Sequence, residues 1–135
     1  MSKTEILSII NQKGGVGKTT TAINLAAGLA LKNKKVLVID LDPQGNATTG
    51  LGLINSDNSD QTIYEVLNGN KNISEVIKKT KFENLDLVSS NVDLSGLEVE
   101  AAGDSRRAFI LKEQIMAYLN DFRGKYEYIF IDCPP

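Results

Sequence analysis

The chain has 135 residues, of which 41% are hydrophobic and 24% charged, and this size and composition are typical of one globular domain rather than a disordered segment. A net charge of −2 gives no bulk electrostatic footprint for nucleic acid. The absence of histidine excludes histidine-based catalysis and most zinc sites. One cysteine excludes an internal disulfide, and the lack of an apolar export signal or a membrane-length apolar run predicts a cytoplasmic protein.

The first part of the chain predicts two β-strands joined by a helix. Residues 5–11 are apolar and β-branched, as in a buried parallel strand. Residues 18–32 predict a helix, whose sheet-facing positions by spacing are Ala22, Leu25, Ala26, Leu29 and Ala30. A second apolar strand covers residues 35–40 and ends on an acid, Asp40. Together the three elements form a right-handed βαβ unit.

The middle of the chain carries weaker patterns. Residues 42–60 are rich in Gly, Asn, Asp, Ser and Thr, which predicts a loop with a short helical turn. Short helices are predicted over 62–67 and 73–79, each led by a capping residue. Residues 85–89 predict a third strand.

The last part of the chain predicts one long helix and one strand. After a variable connection at 93–104, Ser105 caps a helix that runs through Phe122 and ends before Gly124. Its predicted inner face consists of Phe109, Ile110, Ile115 and Leu119. A fourth strand follows over 126–132. The alternation of apolar strands and helices predicts an α/β fold with a doubly wound, mostly parallel sheet.

The segment between the first strand and the first helix has the composition of a phosphate-binding loop. Its residues are Lys13, Gly14, Gly15, Val16, Gly17, Lys18, Thr19 and Thr20. The glycines let backbone N–H groups converge on a phosphate chain, and the positive end of the helix dipole faces the same anion. Lys18 is expected to reach the β- and γ-phosphates, and the Thr19 hydroxyl to face Mg²⁺. The alternative is a glycine-rich turn with solvated lysines.

Three acidic residues lie at the predicted carboxyl ends of strands, where doubly wound sheets bind ligands. Asp132 ends four apolar residues in the form of a Walker B strand and is expected to hold a Mg²⁺-bound water. Asp40 and Asp42 open the segment 40–48, which is rich in polar and turn-forming residues. A carboxylate here could orient the water that attacks a phosphate. The alternative is a polar turn without a catalytic role, because Asp-Pro-Gln-Gly is favourable turn chemistry.

Two motifs carry a resemblance to a known family. Gln12 stands where the usual phosphate-binding loop has its first glycine, and K-G-G-V-G-K-T-T resembles the deviant Walker A loop of the ParA, Soj and MinD group. This resemblance implies that Lys13 reaches the phosphates of the other subunit across a nucleotide-sandwich dimer. The segment D-L-D-P-Q-G-N resembles the switch segment of ParA-type ATPases. It implies that Asp42 positions the attacking water and that Asp40 lies nearer the Mg²⁺ shell.

The ParA/Soj resemblance implies an ATP-binding and ATP-hydrolysing dimeric switch for plasmid or chromosome partition, with ATP and Mg²⁺ as cofactors. The implied partners are a second copy of the chain, a centromere-binding ParB-like protein and non-specific DNA. The implied location is the nucleoid, and no membrane partner is expected. A MinD-like membrane-cycling ATPase and an inactive nucleotide-binding fragment stay as alternatives. In the distantly related nitrogenase iron protein, each subunit supplies cysteines to a cluster that the two subunits share. Cys133 is the single cysteine of this chain, which argues against that branch, and we interpret it as a small buried filler.

The resemblance also has a consequence for domain organisation. It implies that residues 1–135 are the N-terminal part of a single P-loop ATPase domain, with the DNA-binding half absent. In the family's sheet order the phosphate-loop strand is paired on both sides, so we expect one of its edges to be uncovered here. An uncovered apolar edge strand favours pairing with another chain. We further expect weak nucleotide binding, since phosphate contacts are local, and crippled hydrolysis.

Overall fold

A computed structural model describes residues 3–9, 16–52, 61–91, 94 and 106–133, with residues 16–20 and 106–107 described by their backbone alone. The strands in this part of the chain are β1 (Glu5–Ile9), β2 (Val36–Asp40), β3 (Ile77–Lys79), β4 (Leu85–Val88) and β5 (Tyr128–Asp132). The helices are α1 (Val16–Leu31), α2 (Asn46–Gly50), α3 (Ile63–Leu67), α4 (Ile73–Val76) and α5 (Arg106–Asp121).

The described strands form one sheet in the order β1-β5-β2-β4-β3. β1, β5, β2 and β4 run parallel, and β3 pairs with β4 in the antiparallel direction. All five residues of β2 are buried, as expected for a central strand covered on both faces. The predicted α/β fold with a mostly parallel, doubly wound sheet is confirmed.

Helices cover both faces of this sheet. On one face, Ala26 and Ala30 of α1 pack with Leu51 against the sheet residues Val36, Val38, Leu85, Leu87 and Phe130. On the other face, α3, α4 and α5 pack over Leu37, Ile39, Val88, Ile129 and Ile131. Because side chains alternate along each strand, odd and even positions of β2 and β5 supply the two separate cores.

The helix predicted over 73–79 is shorter than expected. Asn72 and Glu75 form a capping box that starts α4, but the helix ends at Val76. Residues 77–79 are instead β3, in which Ile77 pairs with Val88. The antiparallel ladder to β4 supplies the backbone hydrogen bonds that a longer helix would have made, so tertiary pairing overrides the local helical pattern.

Three burial predictions are wrong. β1 is parallel and lies at the edge of the described sheet, as expected, but it is not buried, because Ile6 is 42% and Leu7 38% exposed. Leu25 of α1 is 47% exposed, because it lies one position off the buried stripe at Ala22, Ala26 and Ala30. Phe109 of α5 is 58% exposed. The buried stripe of that helix is Leu111, Ile115 and Tyr118.

An apolar groove lies between α5 and the face of the sheet that carries Ile6 and Ile131. The groove has a volume of about 520 Å³, and Ile6, Met116 and Cys133 are among the residues that line it. Cys133 is half-buried and packs against the core on this face of the sheet. Within the described ranges, no helix has the length and apolar character needed to cross a bilayer.

Candidate nucleotide-binding site

The predicted phosphate-binding loop lies between β1 and α1. Val16, Gly17, Lys18, Thr19 and Thr20 form the N-terminal residues of α1, two residues earlier than the predicted helix start. The backbone N–H groups of a helix's first turn lack intrahelical acceptors and carry partial positive charge, which suits a bound anion. Lys13, Gly14 and Gly15 lie outside the described residues.

The carboxyl ends of β1, β5 and β2 lie side by side in the sheet. In the parallel ladders, Asp132 of β5 is the register partner of Ile9 on one side and of Asp40 on the other. Two further bonds extend the pairing, from Cys133 N–H to the Ile9 carbonyl and from Leu41 N–H to the Asp132 carbonyl, both at 3.0 Å. The end of the strand before the loop and two of the predicted acids, Asp40 and Asp132, therefore lie together at the carboxyl ends of the parallel strands, as the sequence predicted.

Asp40 is fully buried, and both of its carboxylate oxygens accept hydrogen bonds. Oδ1 accepts from the N–H of Asp42 at 3.0 Å. Oδ2 accepts from the Thr48 N–H at 2.9 Å and from the Thr48 hydroxyl at 2.7 Å. Burial raises the pKa of Asp40 to about 6, the three hydrogen bonds oppose that rise, and the nearby charge of Asp132 adds to it. Asp40 thus holds the start and the end of the 42–48 segment together.

Asp42 is buried in a tight turn. Its Oδ1 accepts from the Gln44 N–H at 3.0 Å, and its carbonyl accepts from the Gly45 N–H at 2.8 Å. Gly45 has a φ of 67°, a left-handed conformation that favours glycine, and it precedes the first residue of α2. The turn chemistry suggested by Asp-Pro-Gln-Gly is therefore present, and it fixes the Asp42 side chain near the strand ends.

Sequence reasoning missed two residues of this site, Thr48 and Ser90. Both are buried, and the Ser90 N–H donates to the Thr48 hydroxyl at 3.0 Å. The Ser90 hydroxyl donates to the carbonyl of Asp42. One signal was available, because Ser90 follows the carboxyl end of β4, the edge at which doubly wound sheets bind ligands.

The donor set at this edge fits a hydrated divalent cation. Asp40 and Asp132 are both fully buried on adjacent strands, and such a pair of carboxylates is stabilised by a nearby positive charge. In the part of the chain that the structure describes, no group of three or more Asp, Glu, Cys or His side chains could enclose a metal ion. Mg²⁺ retains most of its waters and needs few protein ligands, so a sparse site of this kind suits it.

A family profile described as an AAA domain matches residues 4–135 of this chain. The chain belongs to this family. This AAA-domain chain is 45% identical over 131 residues to the sporulation initiation inhibitor protein Soj of Bacillus subtilis, a match that covers 97% of this chain and 50% of Soj. It is 48% identical over 130 residues to the chromosome partitioning protein ParA of Myxococcus xanthus, covering 96% of this chain and 44% of ParA.

Solved structures share the fold of this AAA-domain chain. Cobyrinic acid a,c-diamide synthase from Mycobacterium smegmatis, solved with bound ADP and magnesium, superposes with a TM-score of 0.84 at 35% identity. That match covers 98% of this chain and 52% of the synthase. The resemblance to ParA/Soj-type ATPases is confirmed, and the chain spans about half the length of the curated relatives it matches.

Proposed function

We propose that this chain forms the nucleotide-binding part of an ATP-hydrolysing switch of the ParA/Soj type, which acts in plasmid or chromosome partition. The observation that carries the proposal is the pairing of Asp132 with Asp40 on one side and, on the other, with Ile9, the last residue of the strand that precedes the loop and α1. Identity of 45–48% to Soj and ParA supports partition over the chemistry of the structurally similar synthase, to which identity is 35%.

The proposed nucleotide is ATP, held with Mg²⁺ by the loop and the start of α1. The backbone N–H groups of residues 14–20 bind the phosphates, and Lys18 neutralises the β- and γ-phosphate charge. The Thr19 hydroxyl ligates Mg²⁺, Asp132 accepts from one of its waters, and Asp40 is a second candidate for that outer shell. When bound, Mg²⁺ supplies charge neutralisation at the phosphates.

Asp42 is proposed to orient the attacking water. Phosphoryl transfer depends mainly on positioning and on charge stabilisation, so a carboxylate that accepts one hydrogen bond from the water suffices. The turn at 42–45 holds this carboxylate in a fixed place. Lys13 is proposed to complete the phosphate site of a second copy, which makes hydrolysis dependent on dimerisation.

The proposed partners belong to the whole protein rather than to these residues alone. They are a second copy of the chain, a ParB-like centromere-binding protein and non-specific DNA. The proposed location is the nucleoid in the cytoplasm, and no membrane partner is proposed.

Mg-ATP binding measured by calorimetry tests the proposal directly. Lys18→Ala should weaken binding about tenfold or more, because it removes hydrogen bonds to a charged phosphate. Lys32→Ala is the matched control, since Lys32 is an exposed lysine beyond the end of α1. Equal affinities for the two variants would contradict the proposed site. DNA co-sedimentation with ATP, compared with lipid-vesicle co-sedimentation, separates the ParA-like from the MinD-like function in the complete gene product.

A further inference from the structure

Side-chain and backbone groups of four residues at the candidate site form a closed ring of hydrogen bonds. The ring consists of Asp40, Asp42, Thr48 and Ser90, all of them buried. The Asp42 N–H donates to Asp40, and the Thr48 hydroxyl donates to the same carboxylate. The Ser90 N–H donates to the Thr48 hydroxyl, and the Ser90 hydroxyl donates back to the carbonyl of Asp42.

The ring fixes the backbone of Asp42 from both sides. Its N–H is held by a carboxylate and its carbonyl by a hydroxyl, so position 42 is tied to β2 and to the segment after β4 at once. The Thr48 hydroxyl donates to the Asp40 carboxylate and accepts from the Ser90 N–H, so it links these two groups. In a buried site such bonds strengthen each other, and losing one member leaves a polar group unsatisfied.

We propose that Thr48 and Ser90 are positioning residues for Asp42, which hold its carboxylate where it orients the attacking water. The inference rests on the proposed ATPase function. Neither residue needs to touch the nucleotide, because each acts through the backbone of Asp42. A displacement of about 1 Å in a catalytic group can cost about 100-fold in rate. Hydrolysis should therefore depend on the ring more steeply than nucleotide binding does.

The chain supplies a matched control for Ser90. Ser89 is also buried, and it precedes Ser90 directly. Its hydroxyl, however, accepts a hydrogen bond from the Lys78 ammonium at 2.9 Å, on the side of β3. The substitutions Ser89→Ala and Ser90→Ala therefore remove the same atom at neighbouring buried positions, but only the second opens the ring.

The experiment measures kcat for ATP hydrolysis and Kd for Mg-ATP in the complete gene product that contains these residues. We expect Ser90→Ala and Thr48→Val to lower kcat by about tenfold or more with Kd changed less than about twofold. Ser89→Ala should keep the kcat of the unmodified protein. Thr48→Ser, which retains the hydroxyl, should recover most of the activity that Thr48→Val loses.

Three results would overturn the inference. The first is Ser90→Ala with unchanged kcat, and the second is Ser89→Ala with the same kcat loss as Ser90→Ala. The third is equal activity of Thr48→Ser and Thr48→Val, which also decides the matter if Ser90→Ala does not fold. Failure of the proposed function itself is distinguishable, because the unmodified protein would then bind no Mg-ATP or would bind it equally well after Lys18→Ala.

Discussion

Asp40 and Asp132 are register partners on neighbouring parallel strands, and both side chains are fully buried. Burial raises the pKa of Asp40, and the nearby charge of Asp132 adds to that rise. The ionised form of Asp40 is therefore disfavoured in the free protein, and a bound cation would stabilise it. The protonation state of Asp40 therefore affects both the free energy of unfolding and the charge available at the candidate site.

The stability of the nucleotide-free chain should reflect the titration of Asp40. Its pKa rises from 3.8 to about 6 on folding, so the folded state binds the proton more tightly. Its contribution to the free energy of unfolding is greatest below pH 3.8 and falls as the pH rises to about 6, by on the order of 3 kcal/mol. Chemical denaturation in a chelator, compared with Asp40→Asn, should show this difference between pH 4 and 7. A pH-independent difference would contradict it.

Asp42 is expected to affect hydrolysis rather than binding. Asp42→Asn keeps the size of the side chain but removes the charge that orients the water, so kcat should fall by about 100-fold. Gln44→Ala is the control, because Gln44 is exposed and joins the same turn through its backbone N–H. Steady-state hydrolysis and Mg-ATP titration check both variants. Equal kcat for the two would remove Asp42 from the mechanism.

Two glycines provide a test of the backbone geometry. An added Cβ meets no atom within 4 Å at either Gly28 or Gly69, but Gly69 has a φ of 80°. Gly28→Ala in α1 should stabilise the chain by about 1 kcal/mol, because alanine favours the helix. Gly69→Ala should destabilise it by about 1 kcal/mol, because the backbone is left-handed there. Urea denaturation measures both, and shifts of the same sign would disprove the assigned geometry.

The isolated 135-residue chain should self-associate through β1. Apolar side chains on an edge strand favour pairing with another chain, and an added lysine opposes it. Ile6→Lys should therefore shift sedimentation velocity profiles towards the monomer. Leu31→Lys, at a side chain that is 80% exposed at the end of α1, should not. A monomeric profile for the unmodified chain at high concentration would contradict this prediction.

The sequence predicted four of the five described strands and both long helices because their apolar pattern is strong. It placed Asp40 and Asp132 together because parallel strands share their carboxyl ends. It did not reveal β3, since Ile77–Lys79 becomes a strand through pairing with β4 rather than through a local pattern. Nor did it identify Ser90, whose bonds reach Thr48 and Asp42 across separations of 42 and 48 residues. No local periodicity reports such contacts.

The two outer strands of the sheet differ in kind. β3 is short, antiparallel to its neighbour, and carries Lys78 and Lys79, which are features that discourage a further strand from joining it. β1 is longer, parallel and apolar at Ile6 and Leu7. A further strand, whatever its source, would consequently extend the described sheet on the β1 side alone. It would then pair with the strand that leads into the phosphate-binding loop.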